Sequence, residues 1–344
     1  AYAFEEWNNV ATSTFRAELA GTIESQTGIA DVTFANAADV YGPENGYGFW
    51  VIYDTDGSIL ENWFGVPRSA VLGIAFPEWA DETTGEITEA TALMNGWNVH
   101  VSDTEGNKIA GVFTHEFGHA INLSHSQVNG PMVYNSIPWG AQYYPGVPGC
   151  GVEPYHAADI PDHYQDWYPT LNRADMEAIE TMYPFIDHWG DIATAQSTIN
   201  HADDIAGISN LYPTNDYLTG TGSISGVLRL KDGKTEYSGI NIIARNVADP
   251  MNDAVSAMSG DQTQGLIGPD GRFTIRGLTA GADYVVYTEE IRSGGYPTSP
   301  QMLVSVAEYW NAGESSDPIA DNACDATPIT VVAGATQTAD LTFN

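Results

Sequence analysis

Positive charge is scarce in this chain of 344 residues: 11 Lys plus Arg stand against 45 Asp plus Glu, a formal net charge of -34. That imbalance repels phosphate backbones and anionic lipid, so nucleic acid is excluded as an expected partner. It also presents many carboxylates that suit calcium or a surface kept soluble in salt. Cysteine is nearly absent. Cys150 and Cys324 are too few for a disulfide scaffold and too far apart for a Cys-x-x-Cys redox or metal pair, and the sequence leaves open whether they bridge each other. Long apolar runs are missing too: no stretch reaches the roughly 18 residues of a membrane span. The chain opens at "AYAFEEWNNVA" without a charged leader, an apolar stretch and a small-residue cleavage site. It reads as the processed form of a secreted protein.

What is present suggests two domains, since single cores usually stop growing below this length. "FEEWNNVATSTF" carries Phe4, Trp7, Val10 and Ala11 at helical spacing. Period-two alternation predicts strands at "TSTFRAEL", "IADVTFA", "GFWVIYD" and "AVLGIAF", separated by Gly, Asn and Asp. A helix over "NKIAGVFTHEFGHAIN" follows, which gives an α+β domain with a sheet and a histidine-bearing helix packed on it. Residues from about 126 to 180 are dense in Pro, Gly and aromatics and read as a loop-built insertion. Helical periodicity returns in "RADMEAIETMY" and in "HADDIAGISNLYP", where Ile205, Ile208 and Leu211 share a face and close a domain spanning 1–213. After a linker at 214–222, short alternating strands with "KDGK", "PDGR" and "TAGAD" turns predict an all-β sandwich over 223–344.

The chemistry concentrates in "THEFGHAINLSH". His115 and His119, four residues apart, project from one face of a helix and suit a shared metal ion. Glu116 lies about 100° round the helix, within reach of a water on that ion without occupying a ligand position. His125 is six residues past His119, too far along a straight helix to bind the same ion at about 2 Å. The helix must therefore end and the chain turn back. Asn122 stands where that turn would be made, and Asn is the non-glycine residue best suited to a positive φ.

"HEFGHAINLSH" resembles the metzincin zinc-binding motif H-E-x-x-H-x-x-G-x-x-H, with Asn122 in place of its glycine. "TMYPF" around Met182 is similar to the methionine turn of the matrixin branch, "HADDIAGISNLYP" to that branch's last catalytic helix, and "FEEWNNVATSTF" to its first helix and strand. Met132 in "GPMVYN" is the alternative, since its short spacing and following tyrosine resemble the astacin and serralysin branches. The resemblance covers roughly residues 1 to 213. It implies one catalytic Zn2+ on His115, His119 and His125, with Met182 as an apolar support beneath the imidazoles. It further implies a secreted endopeptidase that hydrolyses protein substrates through a zinc-bound water activated by Glu116. Asp203 and Asp204 resemble the pair that ties the last helix to the methionine turn and to the chain's first residue.

Other signals are less specific. Asp54 and Asp56 in "DTDGSILENWFG" are candidate calcium ligands or the side chains of an Asp-Gly turn. "SGVLRLKDGKTEYSGINIIARN" and "GPDGRFTIRGLTAGADYVVYTE" resemble the carboxypeptidase-regulatory or transthyretin-like β-domain, which implies a spacer or a module that binds substrate or a surface. The alternative reading of the whole chain is an extracellular adhesion or binding protein whose β-domain carries the function and whose peptidase domain is vestigial.

Overall fold

The structure is a computed structural model, described here over residues 2–40, 48–83, 86–98, 106–126, 128–129, 179–185, 196–260, 270–289, 303–304, 307–312 and 326–343. The chain is mixed α+β with several sheets, and it divides into two packing units. The first comprises Ala1–Val10, Phe15–Ser124 and Ile186–Ile199; the second comprises Ala11–Thr14, His125–Phe185 and Asn200–Asn344.

In the first unit, helices α1 (Tyr2–Asn8), α2 (Ile23–Thr27), α3 (Ser58–Trp63) and α4 (Asn107–Ala120) surround strands β1 (Gly48–Asp54), β2 (Gly73–Ala80) and β3 (Ile87–Asn95). The strand order is β1-β3-β2, with β1 parallel and β2 antiparallel to β3. The central strand β3 is buried from Glu89 to its end, as a strand covered on both faces must be. Side chains alternate between those faces along β1. Trp50 and Ile52 join Leu93, Ile59, Leu60, Ala37 and Val40 in one core. Phe49 points the other way and packs edge-on against Phe117 of α4, at 4.7 Å between ring centroids, with Phe4 of α1 completing the cluster. The buried Trp7 indole donates to Thr114 O at 2.8 Å and so fixes α1 against α4.

Two expected strands are not strands. "TSTFRAEL" keeps its alternation, but beyond an isolated bridge at Ser13 no strand among the described residues pairs with it. Further along the segment, Ala17 N–H donates to Asn8 Oδ1 and Ala17 O accepts from Asn8 Nδ2, both at 2.7 Å, so a side-chain amide stands in for a partner strand. In "IADVTFA" local turn chemistry wins: Asn36 Oδ1 accepts from Thr33 N–H at 2.7 Å, and the chain enters a 3-10 turn at Ala37–Asp39. The strand expected at "AVLGIAF" begins later, at Gly73, and runs through Pro77. Proline is tolerated there because β2 is hydrogen-bonded only to β3 among the described strands and its register shifts between Pro77 and Trp79.

In the second unit, helix α5 (Ala202–Leu211) is followed by α6 (Asn215–Gly220), a short helix within the stretch expected as linker. Then come β4 (Thr221–Arg229), β5 (Asn241–Asn246), β6 (Ala254–Met258), β7 (Arg272–Thr279), β8 (Asp283–Glu289), β9 (Ile329–Thr330), β10 (Thr336–Thr338) and β11 (Leu341–Thr342). Strands β7, β10 and β11 pair with β4 in one sheet, and the other sheet has the order β6-β5-β8-β9. Ile224 and Phe273 of the first sheet share a fully buried core with Ile242 and Val286 of the second. Helix α5 packs on β6 and β7 and contributes Ala206 to the same core.

Candidate metal centre

Helix α4 starts after Gly106, whose φ of 76° suits glycine, and buries Val112, Phe117 and Ala120. It ends as the histidine spacing requires. Asn122, at φ 73°, is the one non-glycine residue with positive φ among the described residues. Its N–H donates to His119 O at 2.9 Å, and the next N–H, that of Leu123, reaches back to Gly118 O at 2.9 Å. This pair of bonds is the Schellman motif, with Asn122 in the left-handed position just past the helix cap. Because Asn122 is itself exposed, its contribution lies in the backbone. Asn122→Gly is expected to keep both stability and metal affinity. Asn122→Val is expected to lose about 1–2 kcal/mol of stability, the usual cost of the left-handed conformation, together with metal affinity. Thermal melts and metal titration of the two variants measure the difference.

The reversal brings His115, His119 and His125 together, with one nitrogen of each lying within 4.8 Å of the others. It is the one group of three or more metal-binding side chains found among the described residues, and all three histidines are half-buried. His115 Nε2 and His119 Nε2 are 3.1 Å apart. Two nitrogens on a tetrahedral ion at about 2.0–2.1 Å would sit roughly 3.3 Å from each other. His119 Nδ1 lies 2.8 Å from Leu123 O, so the turn that Asn122 makes also places the acceptor for His119 Nδ1–H. With the proton held there, Nε2 presents its lone pair to the centre. Burial lowers the pKa of His119, which favours the neutral, ligating imidazole.

Glu116 is almost wholly buried, and its Oε2 has no hydrogen-bond partner among the described residues. Burial pushes its pKa up to about 8. A bound cation would oppose that rise by favouring the carboxylate. The space for this side chain comes from β2: a Cβ on Gly73 would stand 2.7 Å from Glu116 Oε1 and 2.8 Å from its Cγ. Sequence reasoning did not single out Gly73. The available signal was a glycine inside a strand pattern, which often marks a close approach by another group.

Met182 is buried in a turn that also holds Thr181. Asp204 on α5 fixes this turn, accepting from Thr181 N–H at 2.7 Å and Met182 N–H at 3.1 Å. Met182 O in turn accepts from Ser126 N–H at 2.9 Å, so the turn is joined to the residue that follows His125. Asp203 does something else: its carboxylate accepts from Ser256 N–H at 2.7 Å on β6. Burial raises the pKa of Asp203 to about 6. Met132, Cys150, Cys324 and Ala1 lie outside the described residues, as does most of "RADMEAIETMY".

Asp54 and Asp56 serve the start of α3. Asp54 Oδ2 accepts from Leu60 N–H at 2.9 Å and Asp56 Oδ1 from Ser58 N–H at 3.0 Å. The Ser58 hydrogen bond holds Asp56 below the usual carboxylate pKa. Among the described residues no further metal-binding side chain completes a group of three with these aspartates. No described helix is long and apolar enough to cross a membrane. No known family model matches the chain, and no curated protein matches it.

Proposed function

We propose that the protein is a secreted, zinc-dependent endopeptidase of the metzincin type, closest to the matrixins. The observation that carries this reading is the convergence of His115, His119 and His125 across the Asn122 reversal, with the buried Glu116 next to His115 in the helix. Three neutral imidazoles are a donor set that suits zinc and leaves a coordination position open. Zinc, when bound there, supplies a Lewis acid and brings the pKa of water towards neutrality.

The protein's own groups do the rest. Glu116 accepts a proton from the attacking water and later delivers it to the departing amine, the two halves of general acid–base catalysis. Leu123 O holds the His119 ring in its ligating tautomer, and on this reading the buried Met182 is assigned the role of apolar support. The β-domain is a module for substrate or surface binding on this reading.

The test is hydrolysis of an unstructured protein substrate by zinc-loaded protein, with and without a chelator. Cleavage is expected to fall to background on chelation and to return when zinc is restored. Absence of chelator-sensitive cleavage by fully loaded protein would favour the adhesion or binding reading instead.

A further inference from the structure

We infer that Arg245, on a β-domain strand, is a positioning residue for the metal centre, holding the segment that carries His125. This inference rests on the zinc reading, and Arg245 and the groups that hold the chain just past His125 all lie in the second packing unit. Arg245 on β5 is fully buried. A guanidinium removed from water is unfavourable unless its donors are satisfied, and here each nitrogen is engaged. Nε donates to Tyr287 Oη at 3.2 Å, Nη1 to Asn129 Oδ1 at 2.8 Å and to Pro250 O, and Nη2 to Val128 O at 2.7 Å. Two of these acceptors belong to residues three and four positions past His125.

The same short segment is held at its other polar groups. Asn129 N–H donates to Glu180 Oε1, and Asn129 Nδ2 donates to Met251 O at 2.8 Å. Val128 packs with Ile243, Val285 and Tyr287 of the β-domain. Ser126 N–H reaches Met182 O. Three residues of chain span at most about 10 Å, so anchoring Val128 limits where His125 can lie. Metal sites tolerate ligand displacements of only about 0.2 Å. An apolar side chain would fill the interior of β5 equally well, but it could not bind the Val128 carbonyl and the Asn129 amide together. The fork of a guanidinium can.

The experiment uses the full chain. Zinc affinity is measured by competition with a chromophoric chelator, and the visible spectrum of the cobalt-substituted protein reports the ligand set. Arg245→Met and Asn129→Ala are compared with wild type, with His125→Ala, and with Val286→Ala. Val286 is a core residue of β8 outside the Val128 cluster, so that variant controls for general loss of stability. Arg245→Met is expected to bind zinc about 10- to 100-fold more weakly, the usual range for groups that orient a ligand, with a cobalt spectrum displaced towards that of His125→Ala. Val286→Ala is expected to melt earlier yet keep wild-type affinity and spectrum.

Wild-type affinity and spectrum in both Arg245→Met and Asn129→Ala would overturn the inference while leaving the zinc reading intact. Equal weakening in Val286→Ala would overturn it as well, since the effect would then be general. If Arg245→Met does not fold, Asn129→Ala decides by the same criteria. A wild-type chain that binds no zinc overturns both this inference and the zinc reading.

Discussion

Glu116→Gln is expected to lower kcat by about 10²–10⁴-fold, the span that a positioned general base contributes, while the protein keeps its metal and its melting temperature changes little. Glutamine fills the recess beside Gly73 as glutamate does, so packing is conserved and only the ability to take a proton is lost. The measurements are steady-state hydrolysis and metal content of the same preparation. Retention of more than about a tenth of wild-type kcat would remove Glu116 from the proposed reaction. A companion change approaches the same carboxylate from the strand. Gly73→Ala places a methyl group 2.7 Å from Glu116 Oε1 and must displace it, so activity is expected to fall with the imidazoles and the metal still in place. Loss of metal in Gly73→Ala would show that β2 supports the ligands themselves.

His125→Ala is the second large effect, and it falls on binding. Structural zinc sites with four protein ligands hold the ion with roughly 10–16 kcal/mol, so one ligand represents about 3 kcal/mol, or a loss of about 10²–10³-fold in affinity. Competition titration reads this directly. Because an ion that binds only the folded chain stabilises it by mass action, the variant should also lose the rise in melting temperature that added zinc gives the wild type. An unchanged zinc affinity would mean that His125 is not a ligand, whatever its distance from the other two histidines.

These expectations rest on features of different visibility in the sequence. The cluster of His115, His119 and His125 was legible because all of it lies in eleven consecutive residues, where helix geometry and the need for one reversal constrain the answer. Asn122 could be assigned a positive φ for the same reason, and its φ is 73°. Helix α5 was legible too, since Ile205, Ile208 and Leu211 follow helical spacing, although Leu211 is exposed and Ala206 is the residue in the β-domain core. The strands at "TSTFRAEL" and "IADVTFA" failed because alternation reports which faces a segment presents, and it cannot report whether a neighbouring strand exists to pair with it. Asn8 and Asn36 supplied local partners instead. The partners of Gly73 and Arg245 were out of reach for a further reason. Each acts on a residue distant in sequence, and nothing in its own neighbourhood encodes the other half of the contact.

The bond from Arg245 to the Val128 carbonyl joins residues 117 positions apart. A growing chain lengthens at about 5–20 residues per second. For several seconds after His125 is made, therefore, the guanidinium that binds its neighbours does not yet exist. During synthesis the histidines are complete well before the framework around the last of them, so the order of synthesis runs from the candidate centre to its support.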